Sequence, residues 1–148
     1  MIAEVLRQKL AADSTVTGDL ATYDFATGSA EAPAIFTTPL PEDVKVPAIY
    51  ISPGTAVDFA CRKKRGAEVT CDVDVFDDNL QNHTRLARLA QNVWDCLDRA
   101  ALESLLDAEG YDFYGCWATM PRDITSPGAF PTRLVECTVR VLKQEERQ

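Results

Sequence analysis

Apolar residues recur at Ile2, Val5, Leu6 and Leu10, the spacing of one helical face, so the chain is expected to open on an amphipathic helix. The "ADST" run at 12–15 offers side chains that compete for backbone hydrogen bonds and should stop it. Residues 18–47 include Pro33, Pro39 and Pro41 among small polar residues and read as loop-rich, with short strands around "ATYDFAT" and "AIFTT". "PAIYIS", 47–52, is a strand with Ile49 and Ile51 on one face and Pro47 at its start, where a missing donor is tolerated.

From Ala67 to Phe76 the alternation is strict. Successive strand side chains face opposite ways, so Val69, Cys71, Val73 and Val75 share one face while Thr70, Asp72, Asp74 and Phe76 share the other. Leu86, Leu89, Ala90, Val93, Trp94 and Leu97 then follow helical spacing, predicting a helix from about Leu80 to Arg99 with Asp78 or Asn79 as its N-cap. "LESLLDAEG" reads as a further turn or two closed by Gly110. It is followed by a strand over "YDFYGCWA" and a long one from Thr132 to Lys143. In that last strand Val135, Cys137, Val139 and Val141 oppose Glu136, Thr138 and Arg140. One apolar and one polar face per strand predicts an α+β domain, mainly an antiparallel sheet with helices packed on one side. At 148 residues a single domain spanning 1–148 is expected.

Composition adds exclusions. Hydrophobic residues make up 46% and charged residues 26%, and no apolar run approaches the ~20 residues of a membrane helix, so no membrane partner is expected. The N-terminus lacks the uninterrupted apolar stretch of a secretory signal, which points to the cytoplasm. A net charge of −8 opposes wrapping on nucleic acid. Five cysteines without a C-x-x-C pair fit neither a disulfide framework nor a zinc site, and are read as buried thiols in a reducing compartment.

The aspartates at 72, 74, 77 and 78 raise the question of a divalent-metal site. A calcium loop starting at Asp72 would need glycine and glutamate where Asp77 and His83 stand. Parity places Asp72 and Asp74 on an open face, where an arginine such as Arg140 would pair with them across strands, and the N-cap uses a third aspartate. The lone histidine, His83, assembles no base–nucleophile set. No catalytic residue, metal or cofactor is therefore assigned, and the chain is not expected to be an enzyme. The alternative is a small divalent-metal enzyme built on Asp72, Asp74 and Asp77.

The order of "IAEVLRQKLAADSTV", "PAIYIS", "EVTCDVDVFDDNLQNHTRLARLAQNVWDCL" and "TRLVECTVRVL" resembles tail terminator (tail completion) proteins of long-tailed bacteriophages and related tailed particles. The resemblance implies a subunit of a ring, a homo-hexamer, that ends the tail tube and joins it to the head connector or stopper, with DNA passing through the lumen. It would assemble in the host cytoplasm and stay in the neck of the tailed particle. A different connector or stopper subunit is the nearest alternative. Residues 53–66 and the "TMPRDITSPGAFPT" loop have no counterpart in that pattern. The basic run Arg62, Lys63, Lys64 and Arg65 is read either as a solvated turn, with Gly66 helping the chain reverse, or as the tip of an extended arm over 53–66 that meets a neighbouring subunit. The acidic sheet face, Asp72, Asp74 and Glu136, is assigned to the lumen or to an interface.

Overall fold

In the computed structural model, residues 2–25, 31–61, 64–78, 84–125 and 130–144 are described. The expected opening helix is α1, Ile2–Ala11, which buries Ile2, Val5, Leu6 and Leu10. The "ADST" run does end it, and Asp13 then caps a further short helix, α2 (Ser14–Thr17), by accepting hydrogen bonds from the Thr15 and Val16 amides. An acceptor that competes with one helix serves as the N-cap of the next. The long helix is α3, Thr84–Leu97, ending two residues before the predicted Arg99. Asn79 and Leu80–His83 lie outside the described residues, and with them the proposed N-cap at Asn79. α4, Glu103–Ala108, is followed by Gly110 at φ +86°, a backbone position that favours glycine.

Two long strands form the spine, β6 (Lys64–Phe76) and β9 (Thr132–Lys143). They pair antiparallel from Gly66↔Leu142 to Phe76↔Thr132. Each has two shorter neighbours on its other side. β4 (Ala48–Ile51) pairs with the second half of β6 and β5 (Thr55–Cys61) with the first. β7 (Tyr111–Ala118) and the two-residue β8 (Arg122–Asp123) divide the outer side of β9. β3 (Ile35–Phe36) closes the far edge, parallel to β4. β1 (Thr22–Tyr23) and β2 (Ala32–Pro33) form a small separate ladder. The result is an α+β fold with an antiparallel-dominated sheet.

The predicted apolar face is the core. Cys71, Val73 and Val75 of β6 and Val135, Cys137, Val139 and Val141 of β9 pack with the buried faces of α1 and α3. Each such aliphatic side chain contributes about 1.5–3 kcal/mol relative to exposure. Trp94 is fixed at this layer by donating its indole N–H to the Ala118 carbonyl at 3.0 Å, and Asp98 accepts the Ala118 amide at 3.0 Å. Helix α3 is thereby tied to edge strand β7.

The opposite face is only partly open. At the β3–β4 end, Phe36 and Ala48 are buried beneath the loop-rich segment, against Tyr23, Leu40, Val44 and Tyr50. Phe25 packs at a tilt against Phe36, ring centres 4.9 Å apart, and edge-on at 5.2 Å to Tyr23. This second small cluster gives the proline-containing segment its place, and leaves the β5–β6–β9–β7 part of the face uncovered.

Candidate functional site

This face is a set of cross-strand rows, on which Leu134, Thr138 and Leu142 of β9 are buried while Thr55, Val57, Asp72, Trp117 and Arg122 are exposed. From one end they read Phe59, Gly66, Leu142; then Val57, Glu68, Arg140; then Thr55, Thr70, Thr138, Trp117; then Asp72, Glu136; then Tyr50, Asp74, Leu134, Arg122. Every β6 and β9 member has even parity, which is why the alternation in the sequence segregates them from the valines.

Its centre is acidic. Asp72 stands directly opposite Glu136, a like-charge pairing that costs stability in a sheet, and Asp74 follows two residues along the same face. Arg122 of β8 forms an ion pair with Glu136 and so relieves one side of this group. Burial, reinforced by the nearby Asp72 charge, pushes the Asp74 carboxyl above the usual carboxylate range. The register thus brings together all three residues assigned to the acidic face. It does not bring Arg140 to Asp72 or Asp74. Arg140 lies opposite Glu68 and donates its Nε–H to that carboxylate at 2.7 Å. Arg140 is on the expected face but has a different partner from the expected one, because parity says nothing about which rung an ion pair occupies.

The other end of the open face is aromatic. The Arg140 guanidinium lies 5.1 Å from the centre of Phe59 and 5.0 Å from that of Trp117, within cation–π range of both. Tyr114 joins Phe59 at 6.2 Å. Gly66 has to be small here: a Cβ would sit 2.1 Å from the Val141 carbonyl oxygen and 2.5 Å from a Leu142 methyl. The expectation that Gly66 helps a turn is therefore corrected. It lies inside β6, where β6 and β9 approach too closely for any side chain. Val57 is 64% exposed, Tyr114 50% and Trp117 37%, an arginine–aromatic surface of the type enriched at protein interfaces. Sequence reasoning missed Val57, Phe59, Tyr114 and Trp117. Thr55, Val57 and Phe59 share one face of β5, but Ala56 and Asp58 on its other face are exposed too, so the sequence carries little contrast there.

The segment 53–66 is largely strand. β5 runs against β6 from Thr55↔Thr70 to Cys61↔Lys64, so Lys64 and Arg65 belong to β6 and only two residues connect the strands. Those two, Arg62 and Lys63, lie outside the described residues. Thr55, Ala56, Val57 and Asp58 are all exposed, as is Arg65, so β5 offers solvent both of its faces. The start expected for β6 at Ala67 is three residues late, because the strand continues towards the hairpin connection.

Asp77 is separated from the other aspartates. It is 1% exposed, and Arg85 of α3 grips both its oxygens, Nε to Oδ2 at 2.7 Å and a terminal guanidinium nitrogen to Oδ1 at 2.6 Å. Asp77 Oδ1 also accepts the Asp78 amide at 2.7 Å. A carboxylate committed to a bidentate arginine is a structural anchor joining the end of β6 to α3. Among the described residues, no group of three or more His, Cys, Asp or Glu side chains has an arrangement suited to a metal ion. Cys71, Cys96, Cys116 and Cys137 are free, buried thiols, and burial pushes Cys71 up to about 11 and Cys96 up to about 12. No helix among the described residues is long and apolar enough to cross a membrane.

No protein-family model and no curated protein matches the chain. Among solved structures, it is similar to a chain of the "Virion of native gene transfer agent (GTA) particle", with a TM-score of 0.65 and 17% identity over 97% of this chain and 95% of that one. At that identity the likeness establishes a shared fold, extending over essentially the whole of both chains.

Proposed function

We propose that this protein is a structural subunit of a phage-like tailed particle, and that copies of it close into a hexameric ring ending the tail tube and joining it to the head connector or stopper. The observation carrying this reading is the end-to-end likeness in fold to a chain of a gene transfer agent virion, which agrees with the order of elements in the sequence. A heterologous ring needs two dissimilar surfaces on each subunit that meet in one sense around an axis. The arginine–aromatic end of the open face, with Val57, Tyr114 and Trp117, is suited to a neighbouring copy. The Arg62–Arg65 run at the β5–β6 connection would steer that approach towards acidic surface.

The acidic centre, Asp72, Asp74 and Glu136, faces the lumen in this reading. A negative wall repels the DNA backbone, so passing DNA is kept near the protein without adhering to it. No catalytic group or bound cofactor has a part in that work. The experiment is to delete the gene from a particle-producing host and image the products. Unjoined heads and tubes of uncontrolled length are expected, with complementation restoring joined particles. Joined particles with tubes of normal length in the deletion would overturn the proposal.

A further inference from the structure

Beneath the open face, three thiols cross the spine of the sheet on its core side. Cys71 of β6 is directly opposite Cys137 of β9. Cys116 of β7 is diagonal to Cys137, because Cys116 faces Val139 while Cys137 faces Ala118. The Cys137 thiol makes its contact with Cys116, Sγ to Sγ at 3.6 Å, and the Cys116 thiol lies 3.2 Å from the Leu97 carbonyl at the end of α3. We infer that Cys116 and Cys137 form a reversible disulfide that clasps edge strand β7 to β9, by thiol–disulfide exchange with a low-molecular-weight disulfide.

The order of attack follows from access and charge. Cys116 retains 6% exposure, whereas Cys137 and Cys71 have none. β7 is the terminal strand of the main sheet path, and its register shifts at Tyr114, two residues before Cys116. An edge strand with a bulge opens locally more readily than a central one. The hydrogen bond from the Cys137 thiol holds the Cys116 thiol below its ordinary range, and the same contact, with burial, pushes Cys137 up. Cys116 is therefore the attacking sulfur.

Its thiolate forms a bond to one sulfur of the small disulfide, whose S–S bond breaks and releases one thiolate. That thiolate takes up the Cys116 proton. Cys137 then loses its proton, and its thiolate attacks the Cys116 sulfur and expels the second small thiolate, which takes up the Cys137 proton. Two protein thiols lose two electrons and the small disulfide gains them as two thiols. The sulfurs must close from 3.6 Å to about 2.05 Å, and because a diagonal pair stands wider than a facing one, edge strand β7 has to shift towards β9 as the bond forms.

The full chain is incubated with glutathione disulfide, in buffer and in sub-denaturing urea that opens β7, then alkylated and mapped without reduction. The intact mass is expected to fall by two hydrogens, a peptide pair joining Cys116 to Cys137 should be recovered, and dithiothreitol should reverse both. Cys71→Ser should retain the link, and Cys116→Ser should abolish all intramolecular linkage. A Cys71–Cys137 peptide pair, or glutathione adducts without the Cys116–Cys137 link in both solutions, overturns the inference. Should a variant fail to fold, the wild-type peptide map decides. The linked protein should also unfold at a higher temperature than the reduced one, and a lower temperature would show that the native sheet does not accommodate the bond. None of these readouts depends on the tail-ring proposal.

Discussion

At the scale of single residues, the aspartate cluster divides into a structural member and surface members. Asp77 continues the odd parity of the core valines past the end of β6, held there by its amide donating to the Pro131 carbonyl at 3.1 Å, and so meets Arg85 on the helix side. Arg85→Ala would strand a buried carboxylate. The expected loss is about 3 kcal/mol, the lower end for breaking a buried pair, since the arginine side chain is 29% exposed. Urea titration should show a lower midpoint with an unchanged slope. Asp74 is the opposite case. Its folded-state pKa is raised by burial and by Asp72 above the ordinary 3.8, so the native state holds the proton more tightly than the unfolded chain. The resulting stability is fully present below 3.8, and it is lost as pH rises through the folded value. Asp74→Asn, which stays neutral, should therefore melt higher than the wild type at pH 7, with the gap closing as the pH is lowered to 3.8. A gap that persists at low pH would mean that the Asp74 charge is not its cause.

At the scale of elements, β6 and β9 were legible because apolar and polar side chains alternate along much of their length, although Leu134, Thr138 and Leu142 on the second face of β9 are buried. β9 begins and ends as read, and the valines of β6 are where parity puts them. β5 was not legible as a strand: Thr55 through Asp58 are exposed on both faces, so no buried side imposes a pattern. β8, only Arg122 and Asp123, exists through its pairing with Leu134 and Arg133 of β9, and α2 through the cap at Asp13. Such short elements follow from tertiary partners rather than propensity. The acidic face was readable, but its arginine–aromatic neighbour was not, since Phe59, Trp117 and Arg140 come from three strands and meet only once register is fixed. The basic run at the β5–β6 connection carries an element-scale prediction. Replacing Arg62, Lys63, Lys64 and Arg65 with serine should leave the melting temperature within the range of ordinary surface changes, about 0.5 kcal/mol each. It should slow assembly most at low ionic strength, where charge steering is least screened. Assembly kinetics across a salt series distinguish this from a solvated turn, for which rates at every salt concentration would match the wild type.

At the scale of the whole molecule, one sheet face carries two characters. The acidic centre and the arginine–aromatic end adjoin on the same open sheet, while the helix layer closes the other side. In a ring this gives each subunit a surface towards the axis and a surface towards its neighbour, and leaves the α1–α3 layer on another side. A charge of −8 on each chain opposes closure of free subunits, so ring formation is expected on the tube end rather than in dilute solution. The most direct measurement is a cryo-electron-microscopy reconstruction of the intact tailed particle carrying this chain. Six copies in one closed ring are expected at the head-proximal end of the tube, with Asp72, Asp74 and Glu136 towards the DNA channel and Trp117 and Tyr114 buried against the next copy. A reconstruction with no ring of this chain at that position, or with its acidic sheet face turned to the outside of the particle, would contradict the proposal.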